Sequence, residues 1–245
     1  MKIIDSVNNR LIKDLKKLHL KKHRDRMQKF LIEGYHLVEA ANQSGVLESV
    51  LITKKDDYLP GTENMIVTKD IIRNLGQART PQNIIGVCRY FSDQAITGQR
   101  FLLLDNVQDP GNLGTLIRSA LGFNIDCVIV SPDSVDIYND KVLRSTQGAI
   151  FNIKVLRTDL LSILRQLKKT KIKICGTTVN NAVSLSKLTK TEKYALVLGN
   201  ESRGLNKEVA NMCDINIHIE TNAALESLNV AVAGSIIMHY FYINQ

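Results

Sequence analysis

Three short segments hold residues whose types and spacing can do chemistry. The first is DNVQDPGNLGTLIRSA, residues 105–120, directly after the apolar run Phe101–Leu104. Its Pro110-Gly111 turn leads into a helical pattern. Helix N-termini present free N–H groups and the positive end of the dipole, so this turn suits a phosphate or carboxylate. Asn112 is a candidate helix cap, and Arg118 follows about 1.7 turns later. An ordinary β–α turn with a surface arginine fits the same residues. The second segment is LVLGNESRGL, residues 196–205. Gly199 and Gly204 are spaced as in a phosphate-binding loop. However, Leu205-Asn206 stand where Lys-Ser/Thr would be needed, which excludes nucleotide hydrolysis. No GxGxxG follows any strand pattern, so a dinucleotide site is unsupported. A glycine-bracketed loop remains, offering Glu201 and open backbone amides, and it suits a flat adenosine better than a triphosphate. The third segment is ESLNVAVA, residues 226–233. Ser227 or Asn229 would cap the helix that follows, but capping accounts for one polar residue, not two in alternation.

The elements that must position these segments divide the chain of 245 residues in two. From Arg100 onward, the apolar runs Phe101–Leu104, Cys127–Val130, Ile172–Cys175 and Ala195–Leu198 alternate with helical stretches near 113–122, 139–147 and 158–169. Apolar runs alternating with helices predict an α/β domain with a parallel sheet covered on both faces. Ligands of such sheets bind at the carboxyl ends of the strands, where the three segments lie. A mostly apolar final helix is expected over 229–242. Before residue 92 the texture is different. Strands are expected at Phe30–Ile32, Val50–Ile52, Met65–Val67 and Ile84–Cys88, with helices at 35–43 and 70–75. The polar stretch 92–99 reads as a linker between residues 1–91 and 100–245.

Charge is concentrated at one end. The whole chain carries a formal +8, and residues 1–30 hold ten Lys or Arg against three acids, a net +7. Ile3, Val7, Leu11, Leu15 and Leu18 recur at helical spacing, so a basic amphipathic helix is expected there. Such an asymmetric charge is a footprint for a polyanion. No bulky aromatic precedes Phe30, which argues against a membrane-surface helix. No run approaches the roughly 18 apolar residues of a membrane span. The N-terminus lacks the apolar stretch and cleavage site of a secretory signal, so a cytoplasmic location is expected. Cys88, Cys127, Cys175 and Cys213 are scattered, without a CxxC pair or a nearby zinc-spaced His. They are expected to be reduced core thiols, with no metal site.

In this order and spacing, the three segments closely resemble the three motifs of the SpoU (TrmH) family of RNA ribose methyltransferases, within the SPOUT superfamily. FLIEGYHLVEAA (30–41) and TPQNIIGV (80–87) look like that family's substrate-binding domain. The resemblance implies a SPOUT domain with a trefoil knot, preceded by a small L30e-like α/β RNA-binding domain. It implies a homodimer whose active site is completed across the interface, and S-adenosylmethionine as cofactor. Thr177, Leu198, Gly199, Asn200, Gly204, Ile217, Ile219 and Leu228 would hold that cofactor. Arg118, Asn112, Glu201, Ser227 and Asn229 would form the catalytic cluster. Asn112 and Asn229 would orient Arg118 and the ribose, Glu201 would pin the arginine or the loop, and Ser227 would bond the RNA. The family's proposed base is the arginine. A guanidinium rarely gives up its proton, so phosphate clamping or charge stabilisation is a competing role. Arg10, Lys13, Lys17, Lys21, Lys22, Arg24 and Arg26 would contact RNA phosphates. The expected substrate is large-subunit (23S) ribosomal RNA. Transfer RNA, methylation of a base nitrogen and a non-catalytic ribosome-assembly role are the other readings.

Overall fold

The apolar runs form two separate sheets. The computed structural model describes residues 2–78, 80–92, 95–178, 182–188 and 191–244. The chain divides into two units, Met1–Ser92 with Tyr138–Asn152, and Asp93–Ile137 with Ile153–Gln245.

The first unit holds strands β1 (Lys2–Ile4), β2 (Lys29–Glu33), β3 (Leu47–Ile52), β4 (Glu63–Val67) and β5 (Ile84–Arg89). Their order is β1-β4-β3-β5-β2, parallel at β1/β4 and β4/β3 and antiparallel at β3/β5 and β5/β2. Helices α1 (Arg10–Lys17), α2 (Lys21–Met27), α3 (Tyr35–Gln43) and α4 (Lys69–Leu75) accompany them. Ile12, Leu15 and Leu18 of the α1 region pack with Leu51, Met65, Ile71, Ile72, Leu75 and Ile85. Burying each such side chain is worth about 1.5–3 kcal/mol.

The N-terminus corrects the sequence reading. The expected single helix is a strand, a capped turn and two helices. Lys2–Ile4 pairs in parallel with Met65–Val67, which buries Ile4 and leaves Ile3 73% exposed. Asn9 begins α1 by accepting from the Leu11 N–H at 2.9 Å. The apolar spacing that ran through Ile3 and Val7 therefore marks no helix face, because edge-strand pairing outcompetes the periodicity.

The second unit's strands are β6 (Arg100–Leu104), β7 (Cys127–Val130), β8 (Lys154–Arg157), β9 (Lys173–Thr177), β10 (Val183–Ser184), β11 (Tyr194–Leu198) and β12 (Ile215–His218). They form one sheet, ordered β10-β12-β9-β11-β6-β7-β8, and every pairing is parallel. Helices α5 (Pro110–Gly122), α7 (Leu160–Leu167), α8 (Lys207–Asn211) and α9 (Val230–Ile243) belong to this unit, and α6 (Asp140–Ser145) lies between α5 and α7 in sequence. Leu102, Leu103, Val128, Ile129, Leu196 and Val197 are all fully buried. This is why the central strands read as unbroken apolar runs. The outer strands β8 and β12 interleave polar residues and gave no such run.

Residues 138–152 cross the boundary expected at 92–99. They pack within the first unit, where Tyr138 stacks on Tyr90 with ring centroids 3.8 Å apart and lies 4.8 Å from Phe30. His36 Nε2 lies 2.9 Å from the Gln147 carbonyl.

Candidate active site

The site begins where β6 and β11 end. The Asp105 N–H donates to the Leu198 carbonyl at 2.8 Å, and Asp105 Oδ2 accepts from the Asn206 N–H at 2.7 Å. Burial raises the Asp105 carboxyl above its ordinary value, the Asn206 N–H opposes this, and the charge of Asp133 adds to it. The following turn is held by hydroxyls. Ser131 accepts from the Asn106 N–H at 2.9 Å, and Ser134 from the Val107 N–H at 3.0 Å.

The cap of α5 is Asp109, not Asn112 as expected. Its Oδ1 accepts from the Asn112 N–H at 2.9 Å, ahead of Pro110 in the first turn. Asp-Pro at these two positions is a favoured helix start, since Asp satisfies a free N–H and Pro has none to satisfy. The Asn112 side chain is thereby released for tertiary bonds. Its Nδ2 donates to Glu201 Oε1 at 3.0 Å, and its Oδ1 accepts from Asn229 Nδ2 at 3.0 Å. Asn229 in turn caps α9, accepting from Ala231 N at 2.9 Å and Val232 N at 3.3 Å. Ser227 does not cap this helix. One relay thus joins the loop after β11, the start of α5 and the start of α9, three segments far apart in sequence.

Glu201 also accepts from the Gln108 and Asp109 N–H groups, each at 3.3 Å. Partial burial works against its charge. The bonds from Asn112, Asp109 and Gln108 outweigh that effect and hold its carboxyl below the ordinary value. Asn200 shapes the same loop. Its Oδ1 accepts from the Ser202 and Arg203 N–H groups at 3.0 Å, and its Nδ2 reaches the Asn106 carbonyl at 2.8 Å. Asn200 and Gly204 exchange two backbone bonds of 3.0 Å across the loop. Gly199 must be glycine, because a Cβ there would lie 2.3 Å from the Gly204 carbonyl carbon.

Beside this loop lies a cleft of about 610 Å³. All eight residues expected to hold the cofactor line it: Thr177, Leu198, Gly199, Asn200, Gly204, Ile217, Ile219 and Leu228. Glu201 and Ser227 line it as well. Sequence reasoning missed Asn216 and His218 of β12, whose buried Oδ1 and Nδ1 have no partner among the described residues. Their polar–apolar alternation with Ile217 was the available signal. Apolar walls with unpartnered polar atoms and an open-amide loop fit an amphipathic nucleoside such as S-adenosylmethionine.

Arg118 is not brought into the cluster. It sits on the exposed side of α5, and its guanidinium has no hydrogen-bond or ion-pair partner among the described residues. Glu201 therefore bonds to the loop and Asn112, not to Arg118. In the first unit, Arg10, Lys13, Lys17, Lys21, Lys22 and Arg26 are exposed, with Lys17 paired to Asp14 and Lys21 to Asp25. Arg24 is a correction to the expected phosphate contacts. It is 6% exposed, and its Nη1 donates to the Leu18 and His19 carbonyls at 2.8 Å, so the guanidinium fastens the α1–α2 turn.

Residues 99–239 match the SpoU rRNA methylase family, and residues 9–86 match the MRM3-like substrate binding domain. The chain is 38% identical, over 98% of its length and 99% of the relative's, to the 23S rRNA (guanosine(2553)-2′-O)-methyltransferase RlmP of Bacillus subtilis. It superposes on the AdoMet-bound rRNA methyltransferase of Sinorhizobium meliloti with a TM-score of 0.89 at 26% identity, covering 98% of this chain and 97% of that one. A solved RNA 2′-O ribose methyltransferase gives 0.83 at 25% identity, covering 99% and 98%. The second and third motifs line the cleft, the first is hydrogen-bonded to both through Asn112, and this chain belongs to the SpoU rRNA methylase family.

Proposed function

We propose that this protein transfers a methyl group from S-adenosylmethionine to a ribose 2′-hydroxyl of 23S ribosomal RNA, in the cytoplasm. The observation that carries the reading is the relay Glu201–Asn112–Asn229 beside a cleft lined by every expected cofactor residue. The full-length similarity to a 23S rRNA 2′-O-methyltransferase supports the substrate class.

When bound, the cofactor supplies an electrophilic methyl carbon on a sulfonium, already activated for transfer. The protein must hold the hydroxyl in line with it and manage one proton. The loop 199–204, kept open by Gly199 and cross-linked by Asn200, gives the nucleoside its edge. Thr177, Leu198, Ile217, Ile219 and Leu228 exclude water from it. The Asn112–Asn229 relay fixes both amides, so their orientation is set before RNA arrives. Ser227, whose hydroxyl has no partner among the described residues, is placed to bond the substrate.

Arg118 acts on the partner's site in a homodimer. Two observations support this reading. Arg118 faces outward from α5, apart from the relay. Val232, Ile236 and Ile243 form an outward stripe on α9, 40–61% exposed, with Leu121 exposed on the neighbouring α5. Such a stripe, with His239 exposed within it and Tyr242 beside it, calls for cover. Arg118 then clamps a phosphate or stabilises charge developing on the ribose oxygen. Arg10, Lys13, Lys22 and Arg26, with Lys17 and Lys21, bind RNA phosphates.

The test is mass spectrometry of nucleosides from ribosomal and transfer RNA, with and without the gene. Loss of one 2′-O-methylated nucleoside from 23S rRNA is expected. A loss confined to transfer RNA, or a lost base methylation, would overturn the assignment.

A further inference from the structure

Glu33, at the end of β2, spends both carboxylate oxygens on one loop. Oε2 accepts from the Gln77 and Ala78 N–H groups at 2.9 and 3.0 Å, and Oε1 accepts from the Gln82 N–H at 3.0 Å. Gly76 lets the loop approach, since a Cβ there would lie 2.9 Å from Oε1. One side chain from 44 to 49 residues away thus replaces the missing backbone pairing of the turn between α4 and β5. The carboxylate is only half-buried, so the clamp contributes nothing to the apolar core. What it fixes is the presentation of Thr80, Gln82 and Asn83, all exposed. The Thr80 hydroxyl and the Asn83 amide have no partner among the described residues.

The loop adjoins the basic helices. His19, at the α1–α2 junction, hydrogen-bonds the Leu75 carbonyl. With the Gln77 amide turned so that its nitrogen donates to the Asp140 carboxylate at 2.9 and 3.0 Å, its oxygen accepts from His19 Nδ1 at 2.6 Å. Lys17, Lys21 and Lys22 flank that junction in the chain. Side-chain amides and a hydroxyl, on a unit whose first two helices expose Lys13, Lys22 and Arg26, match what RNA offers, namely phosphates next to splayed base edges. A protein partner would call for apolar anchors, and Pro81 is the loop's sole described apolar residue beyond Ala78.

Resting on the functional reading above, we infer that Thr80, Gln82 and Asn83 form a base-reading RNA contact and that Glu33 is its positioning residue. The experiment uses the full chain with 23S rRNA from cells lacking the gene, and follows methyl transfer and filter binding. Glu33→Gln leaves one carbonyl acceptor and adds an amide donor that faces donors. It should raise KM for the RNA about tenfold, while kcat and cofactor affinity stay within about twofold. Amide exchange at Gln77, Ala78 and Gln82 should quicken in that variant while the β-sheet stays protected. The double substitution Gln82→Ala with Asn83→Ala keeps the clamp and should raise KM equally. Unchanged KM in the double variant overturns the proposal, as does a Glu33→Gln variant that loses kcat and cofactor affinity along with KM. Failure of the unaltered protein to bind or methylate 23S rRNA overturns the functional reading, and this inference with it.

Discussion

At Glu201 a carboxylate, two asparagine amides and a helix start are wired in series, so each change has a separate signature. Replacing Glu201 with Gln removes the charge that two backbone N–H groups and Asn112 converge on. The folded-state carboxyl lies below its ordinary value, so its stabilising effect is present above the unfolded pKa of about 4.3 and is lost as pH falls through the folded value. Thermal melts on acidification should therefore show the native protein losing a stabilisation that Glu201→Gln lacks at every pH. Parallel curves for the two proteins would exclude this role. Gly199→Ala should abolish cofactor binding by calorimetry, because the new methyl would occupy space 2.3 Å from the Gly204 backbone. Backbone on both sides leaves no flexible side chain to give way. The cluster's residues were legible in the sequence, but their wiring was not. Asn112 reads as a cap until Asp109, three residues earlier, takes that role.

Among the elements, α1 and α2 separate two kinds of basic residue that look alike in sequence. Arg24 points inward and satisfies the Leu18 and His19 carbonyls, whereas Lys22 and Arg26 point outward. Arg24→Ala should cost about 2–3 kcal/mol in denaturant melts by stranding buried carbonyls. Lys22→Ala with Arg26→Ala should cost under ~1 kcal/mol but reduce the salt dependence of RNA binding, by about 0.7 per lost phosphate contact. Equal effects of the two changes on stability would refute the division. Helices α3, α4 and α9 and the inner strands lay where periodicity and apolar runs put them. The N-terminal strand and β8, β10 and β12 did not, because a short or edge strand shows too few residues for a period to emerge.

For the whole molecule, the prediction concerns assembly. Ile236→Asp introduces a charge into the exposed apolar stripe of α9 without touching the cleft. It should yield a monomer by analytical ultracentrifugation and abolish methyl transfer while cofactor binding persists. Mixing it with Arg118→Ala, which should be dimeric and inactive, should restore no activity. An active monomer would remove the partner from the mechanism and return Arg118 to its own site.

The sequence by itself determined the parallel sheet, the family and the three segments that meet at the cleft and the relay beside it. These rest on buried apolar runs and on motifs whose order survives without coordinates. Tertiary structure alone decided which polar atoms meet. Glu201, Asn112 and Asn229 are separated by 28 to 117 residues and touch only because β6, β11 and α9 bring their ends together. It also decided that Arg24 is a fastener and that Glu33 is a clamp. It placed residues 138–152 with a unit they follow by nearly fifty residues, where Tyr138 completes an aromatic cluster around Phe30. A side chain's chemistry is local, but its partner is chosen by burial and strand order, and those are properties of the folded chain.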